Sequence, residues 1–196
     1  EKGNKYITNQ YSRMVSHQLR SKNQGLLTSY ITVNTDNPRL NCRINGLEKF
    51  SPTIIVIDRD LQIKLNSLIF NKMNKKKIII FHKSKNLSKI KKLKTKGITL
   101  INFKTEKDNY FDLKKIFQKI YKLGINSVLV ECGSNITRKM LLKNLFNEFY
   151  FFRSNKMLNK RQKINVLDIK SKLDKKFKNK DFVNRYLDKD KLMHYY

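Results

Sequence analysis

Two runs of β-branched residues constrain the fold of this chain more than any other feature. The first extends from Thr53 to Asp58 and the second from Ile78 to Phe81. Continuous apolar runs, without a polar residue at every second position, are typical of strands that are covered on both faces. Amphipathic helical patterns alternate with such runs along the chain. The sequence therefore predicts an α/β sandwich with a largely parallel sheet.

The remaining elements follow from apolar spacing and from capping residues. Further strands are expected at 26–29, 98–101, 127–131 and 149–152. Helices are expected at 9–20, with Asn9 as a cap, and at 87–93, 112–123 and 135–145, with a tight helical turn or loop at 32–37. The tail predicts a helix or turn near 170–178 and then two strands, 182–187 and 192–196, joined as an antiparallel edge hairpin. The prediction is a single domain, 1–196.

The net charge of +29 is the most obvious property of the composition, and it has two readings. A strongly basic chain is typical of nucleic-acid binding. However, the sequence contains no Ala and no Trp, and it is dominated by Lys, Asn and Ile, whose codons are rich in A and T. Phosphate-reading surfaces favour arginine, whereas the lysines here are dispersed. The sequence therefore favours a bias of the genome, and nucleic acid is not expected as a partner.

The cysteines and the apolar stretches exclude other classes of site. Cys42 and Cys132 are far apart and form no CxxC motif, so neither a metal site nor a disulfide is expected. No apolar stretch approaches the length of a membrane span, and no signal-peptide pattern opens the chain. These features predict a cytoplasmic protein without a membrane partner.

A polar cluster follows the predicted strand 127–131. Glu131 ends the strand, and Gly133, Ser134 and Asn135 lead into a helix. A glycine turn before a helix can bind a phosphate through backbone N–H groups, although most such turns only cap the helix. Glu131 itself is read either as a ligand contact or as a solvated or capping carboxylate. Cys132 is read as a packing residue, and the three histidines, His17, His82 and His194, as surface or edge residues.

A second polar set extends from Tyr6 to Arg43. Arg20 and Arg43 could each bind a phosphate with two hydrogen bonds, or could be surface charges. Thr32 and Asp36 lie one helical turn apart, so they could face one ligand or cap that turn. Tyr6 could stack on a ring or pack at the entrance. Together the two sets predict a cleft for two phosphorylated small molecules.

The order of these residues resembles a known family. The series begins with Tyr6-Ile-Thr and continues with Leu-Arg20. It goes on with the pattern Thr32-x-x-x-Asp-Asn-Pro-x-Leu-x-x-Arg43 and then with a strand that ends in Val-Glu131-Cys-Gly. This order resembles the C-terminal reductase domain of RibD-type riboflavin biosynthesis proteins, and the resemblance covers most of residues 3–152. It implies a dihydrofolate-reductase-like fold, a three-layer α/β/α sandwich. It also implies reduction by NADPH of the ribosyl group of 5-amino-6-(5-phosphoribosylamino)uracil to ribityl, and a homodimer.

The resemblance also assigns residues to the two ligands. The substrate positions are Asn4, Arg20, Leu40, Arg43 and Glu131. The NADPH positions are Tyr6, Thr32, Asp36, Gly133, Ser134, Asn135, Ile136, Thr137, Arg138 and Lys139. Hydride transfer would go to C1′ of the ring-opened ribose, and the protein would mainly align the ligands and exclude water. No residue is assigned as the proton donor.

The chain also departs from the family pattern. Tyr6 stands where Trp is more usual, Cys132 stands in place of a glycine, and a glycine-rich loop expected near 155–163 is replaced. The family's first strand and the zinc deaminase domain would precede Glu1, so residues 1–196 are expected to lack both. The alternatives that remain are an inactive or partial homologue of the reductase and, less favoured, a basic nucleic-acid-binding protein.

Overall fold

The computed structural model describes residues 8–71, 76–154, 166–183 and 187–196. The helices are α1 (Gln10–Lys22), α2 (Tyr30–Asp36), α3 (Leu87–Lys94), α4 (Leu113–Lys122), α5 (Ser134–Leu142) and α6 (Val166–Lys176). The strands are β1 (Gly25–Ser29), β2 (Thr53–Ile57), β3 (Ile78–His82), β4 (Thr99–Asn102), β5 (Val128–Val130), β6 (Phe149–Arg153), β7 (Lys180–Val183) and β8 (Lys191–Tyr195). The elements predicted within the described residues are confirmed, with boundaries that differ by a few residues.

The chain divides into two compact units, and His17–Gly133 forms the larger one. It contains a five-stranded sheet in the order β4-β3-β2-β1-β5, and every pairing in it is parallel. The predicted parallel sheet is therefore confirmed. The β-branched runs form β2 and β3, which lie inside the sheet, and this position explains why both of their faces are apolar.

Helices cover both faces of this sheet. On one face Ile54 and Val56 pack in the same apolar cluster as Val33 of α2 and Leu93 of α3. On the other face Ile55 packs with residues of α4 that include Ile116 and Ile120. Adjacent residues of β2 thus point to opposite layers, as strand geometry requires. The unit has three layers, and the α/β fold class is confirmed.

The second unit comprises Glu1–Ser16 and Ser134–Tyr196. Its sheet has the order β6-β8-β7, and both pairings are antiparallel. The predicted antiparallel pairing of the last two strands is confirmed. The structure adds that they belong to a separate small sheet in which β8 is central. A cluster of Leu141, Leu173, Phe177 and Tyr195 forms its core.

Helix α1 begins as the sequence predicts. The Asn9 side chain accepts a hydrogen bond from the Ser12 amide at 2.9 Å, which makes Asn9 the cap. Asp190 is buried and accepts from the Ser12 hydroxyl at 2.7 Å and from the Asn9 amide at 2.8 Å. The start of α1 is therefore fixed to the loop before β8. None of the helices in the described part of the chain is long and apolar enough to cross a membrane.

Candidate binding site

Arg20 and Glu131, both predicted as substrate contacts, bind each other in the structure. Arg20 Nε donates to Glu131 Oε1 at 2.8 Å, and Arg20 Nη2 donates to Glu131 Oε2 at 2.7 Å. The two side chains are 12% and 28% exposed. This bidentate geometry fixes the planes of both groups relative to each other. The two side chains therefore form one ordered ion pair rather than two independent charges.

The backbone of β1 holds Glu131 in place. The Glu131 amide donates to the Leu27 carbonyl at 2.9 Å, and the Thr28 hydroxyl donates to the Glu131 carbonyl at 2.8 Å. Glu131 directly follows β5, so its side chain lies at the carboxyl end of a parallel strand, where α/β folds bind ligands. The sequence predicts this placement correctly. It does not predict that Arg20 binds the Glu131 carboxylate.

Asn41 connects three basic side chains. Its carbonyl accepts from Arg20 Nη1 at 3.2 Å and lies 3.0 Å from His17 Nδ1, and its side-chain oxygen accepts from Arg43 Nη1 at 3.2 Å. A carbonyl has no proton to give, so Nδ1 of His17 carries the hydrogen in this contact. Asn41 therefore orients both arginines that the sequence assigned to the substrate.

His17 is a neutral member of this network. Burial and, to a smaller extent, the positive charges of Arg20 and Arg43 lower its pKa to about 4, although the hydrogen bond to Asn41 and the Glu131 carboxylate act in the opposite direction. Only 8% of the residue is exposed. The prediction that His17 is a surface or edge residue is wrong, because the helix turns it toward the Asn41 loop. The same prediction is wrong for His82, which is buried and whose pKa is also lowered by burial.

His194 lies in β8, and its ring stacks on Tyr150 with centroids 4.2 Å apart. Its Nε2 lies 3.1 Å from the Glu148 carboxylate. The ring is therefore part of a sheet surface, on the strand that is central in the small sheet. Of the two readings, surface or edge, the surface one is confirmed, because β8 is the central strand of its sheet and the His194 side chain is 23% exposed.

Leu40 and the segment before it form a strained turn. Leu40 has a φ of 54° and Asn37 a φ of 43°, a conformation that most residues avoid. The Leu40 side chain is 1% exposed and packs in the core that α2 and α3 cover. Only its backbone remains for a ligand, so its predicted contact with substrate would be a main-chain contact.

Thr32 and Asp36 lie on α2, but neither of them caps it. The N-cap is Ser29, whose hydroxyl accepts from the Thr32 amide at 3.2 Å and lies 3.1 Å from the Thr32 hydroxyl. Asp36 is exposed and ends the helix. The sequence allowed two roles for Thr32 and Asp36, capping of this turn or contact with one ligand. The structure excludes capping, and the contact with a ligand stays a prediction.

Gly133 and the residues that follow it retain the features of an anion-binding turn. An added side chain at Gly133 would meet nothing within 4 Å, so the backbone there is open. Helix α5 begins at Ser134 and has no acidic residue in its first turn. The first N–H groups of a helix have no partners within the helix, and they suit a phosphate. Asn4 and Tyr6 lie outside the described residues, as does the loop expected near 155–163.

Cys132 is not suited to nucleophilic chemistry. Burial, helped by the neighbouring Glu131 charge, raises the pKa of its thiol to about 12. Its Sγ lies 3.5 Å from the Leu27 carbonyl, to which the thiol donates. The reading of Cys132 as a packing residue agrees with this environment, because only a thiolate is a strong nucleophile.

Comparison with known proteins identifies the family. Residues 1–181 match the family model described as RibD C-terminal domain. This chain belongs to the RibD C-terminal domain family. The resemblance read from the polar residues is thereby confirmed.

Members of the RibD C-terminal domain family occur both as parts of longer proteins and alone. A riboflavin biosynthesis protein RibD of Aquifex aeolicus is 31% identical over 167 residues, which are 85% of this chain and 45% of that protein. The chain thus spans about half the length of such relatives. A 5-amino-6-(5-phosphoribosylamino)uracil reductase of Buchnera aphidicola is 29% identical over 189 residues, 89% of each chain.

A solved structure of the riboflavin biosynthesis reductase of Saccharomyces cerevisiae shares the fold of this RibD C-terminal domain. The TM-score is 0.73 at 22% identity, and the match covers 95% of this chain and 80% of that one. At this identity the likeness speaks for the fold alone.

Two residues of this network were not predicted from the sequence. His17 and Asn41 lie within the polar set, but His17 was read as a surface or edge residue and Asn41 as a spacer. The spacing of Asn41, between Leu40 and Arg43, was the one available hint.

Proposed function

We propose that this chain reduces the ribosyl group of 5-amino-6-(5-phosphoribosylamino)uracil to ribityl, with NADPH as the reductant. The observation that carries the proposal is the network in which Asn41 orients Arg20 and Arg43 while Arg20 binds Glu131. Family membership supports it, as does the Buchnera relative of similar length, whose name states this reaction.

The network provides groups that suit a phosphorylated sugar. Arginines bind phosphates through two parallel hydrogen bonds, and Asn41 presets the direction of both guanidinium groups. Glu131 offers carboxylate oxygens to ribose hydroxyls or to the pyrimidine. Because these groups are already ordered, binding costs less conformational entropy. The protein thus contributes alignment, the main requirement for this reaction.

The residues assigned to NADPH carry chemical groups of the kinds that a dinucleotide needs. The open backbone at Gly133 and the α5 turn without acidic residues suit its phosphates, and Arg138 and Lys139 bring positive charge to that helix. Thr32 and Asp36 offer a hydroxyl and a carboxylate for ribose groups. When bound, NADPH supplies the hydride that reduces C1′ of the ring-opened substrate.

The remaining proton comes from water or from the substrate itself. His17 is neutral near pH 7 and holds its hydrogen toward Asn41, and the thiol of Cys132 has a pKa of about 12. Neither group is tuned to deliver a proton near neutrality. We propose in addition a homodimer in the cytoplasm, as the family resemblance implies.

The test follows absorbance at 340 nm with NADPH and the aminouracil substrate. The wild type should oxidise NADPH only when the substrate is present. Arg43→Met should raise KM about tenfold or more through loss of charged hydrogen bonds. The matched control is Arg39→Met, which removes an exposed arginine from the same loop and should leave KM unchanged. A folded wild type that neither binds nor oxidises NADPH would instead be the inactive homologue.

A further inference from the structure

His17 anchors a loop that both arginines of the site contact. Its Nδ1 lies 3.0 Å from the Asn41 carbonyl and donates its hydrogen to that oxygen. Arg20 lies one turn further along α1, and its Nη1 donates to the same oxygen at 3.2 Å. Both lone pairs of the carbonyl are therefore occupied by donors from one helix.

The nitrogen end of the same peptide group is also fixed. The Cys42 amide donates to the Ser51 hydroxyl oxygen at 2.9 Å, and Cys42 is fully buried. The peptide plane between Asn41 and Cys42 is thus held from both sides. On the carbonyl side, His17 is the donor that leaves the substrate groups free, because Arg20 is itself assigned to the substrate.

The loop needs such anchors because its backbone is strained. Leu40, directly before Asn41, has a φ of 54°, and Asn37 has a φ of 43°. Residues other than glycine keep such angles only where the surrounding structure holds them. Without His17 the loop could relax toward ordinary angles. The Asn41 side chain, which accepts from Arg43 Nη1 at 3.2 Å, would then move as well.

A neutral ring suits this position. Burial, followed by the charges of Arg20 and Arg43, lowers the pKa of His17 to about 4. The ring therefore carries a single hydrogen at neutral pH, and the contact with the Asn41 carbonyl places it on Nδ1. His17 thus supplies a directed donor without adding a third positive charge beside the two arginines.

We propose that His17 is a positioning residue of this site: its Nδ1–H fixes the Asn41 carbonyl and thereby holds Arg20 and Arg43 in the geometry that binds substrate. The inference rests on the proposed function, because it concerns the affinity of the site for the aminouracil substrate. His17 acts through Asn41 and needs no contact with the substrate. Its loss should therefore change KM rather than kcat.

The experiment measures kcat and KM for the aminouracil substrate in the wild type, in His17→Asn and in His17→Gln. An asparagine places its amide nitrogen where Nδ1 of histidine lies, whereas the amide of glutamine lies one bond further out, near the position of Nε2. His17→Gln should raise this KM about fivefold, as for the loss of one hydrogen bond. Its kcat and its KM for NADPH should be unchanged, and His17→Asn should stay close to the wild type.

Gly25→Ala is the control for a general loss of stability. It should weaken the fold by overpacking at the amino end of β1, yet leave the KM for the substrate at the wild-type value. A wild-type KM in His17→Gln, or an equal rise in His17→Asn and His17→Gln, would overturn the inference. Should His17→Gln not fold, His17→Leu gives the same comparison with His17→Asn, and an equal KM in those two variants would also overturn it.

A second readout separates the inference from the reductase assay. Arg20 Nε–H donates to Glu131 at 2.8 Å, so in heteronuclear NMR it should exchange slowly with solvent in the wild type and in His17→Asn, and faster in His17→Gln. If the wild type reduces the substrate but exchange and KM are the same in all three proteins, the inference fails and the proposed function stands. If the wild type shows no reduction but exchange becomes faster only in His17→Gln, the proposed function fails and the positioning role stands.

Discussion

At the scale of single residues, Arg20 and Glu131 illustrate how a ligand site is kept ordered. Arg20 donates from Nε and Nη2 to the two carboxylate oxygens of Glu131, and its Nη1 donates to the Asn41 carbonyl. A charge pair of this kind costs desolvation, and its loss leaves one partner buried and uncompensated. The pair should therefore contribute to stability as well as to binding.

Glu131→Gln tests this contribution. The substitution keeps the shape of the side chain but leaves the Arg20 charge without its counter-ion. The free energy of unfolding in urea should fall by about 1–3 kcal/mol, between the values for exposed and fully buried pairs.

The matched control is Glu106→Gln. It breaks a pair with Lys115 at 3.0 Å whose side chains are 48% and 60% exposed. Its effect should be clearly smaller than that of Glu131→Gln, as for other surface pairs. Equal losses in the two variants would mean that the Arg20–Glu131 pair is no more than a surface contact.

His17 makes stability depend on pH. Its native pKa of about 4 lies below its ordinary value of 6.5, so on acidification the unfolded chain binds the proton first. The contribution of His17 is complete above pH 6.5 and is lost as the pH falls toward 4. It amounts to about 3 kcal/mol.

His17→Asn isolates this contribution, because an asparagine amide can still donate toward the Asn41 carbonyl. The difference in unfolding free energy between wild type and variant should change between pH 6.5 and 4 and stay constant from pH 7 to 8. A difference that stays constant over the whole range would contradict a buried neutral His17.

At the scale of elements, close packing fixes β1 between its neighbours. A side chain at Gly25 would approach Ile125 Cγ2 to 2.9 Å and Ile55 Cδ1 to 3.1 Å. Gly25→Ala should therefore destabilise the fold by about 1–3 kcal/mol through overpacking. Thermal or urea unfolding measures the effect.

Gly133→Ala is the counterpart, because no atom lies within 4 Å of an added side chain there. Its unfolding free energy should stay within about 0.5 kcal/mol of the wild type, the range of neutral surface changes. NADPH affinity should nevertheless fall, because the added methyl group occupies the approach to the backbone. Normal NADPH binding by this variant would remove Gly133 from the proposed cofactor site.

The elements themselves were largely predictable from local patterns. Asn9 and Gly124 mark a helix start and a helix end, and Gly124 has a φ of 82°, as a residue after a helix often does. The sequence patterns did not reveal how the last strands are placed, because strand order depends on distant pairings. Thus β8 pairs with both β6 and β7, although only its pairing with β7 is local.

At the scale of the whole molecule, the net charge of +29 indicates less about function than the few ordered contacts among Arg20, Asn41 and Glu131. The dispersed lysines would make any polyanion bind weakly and with strong dependence on salt. The residue types of the site were predictable because their spacing is distinctive. The hydrogen-bond partners of these residues were not predictable, because Arg20 and Glu131, for example, are separated by more than a hundred residues.

The proposed reduction is tested most directly by following the hydride. NADPH carrying deuterium at the transferred position of C4 is incubated with the protein and 5-amino-6-(5-phosphoribosylamino)uracil, and the product is analysed by mass spectrometry and NMR. The reductase should form a ribityl product that carries one deuterium at C1′. Recovery of unlabelled substrate from a folded protein, or deuterium at any other carbon, would contradict it.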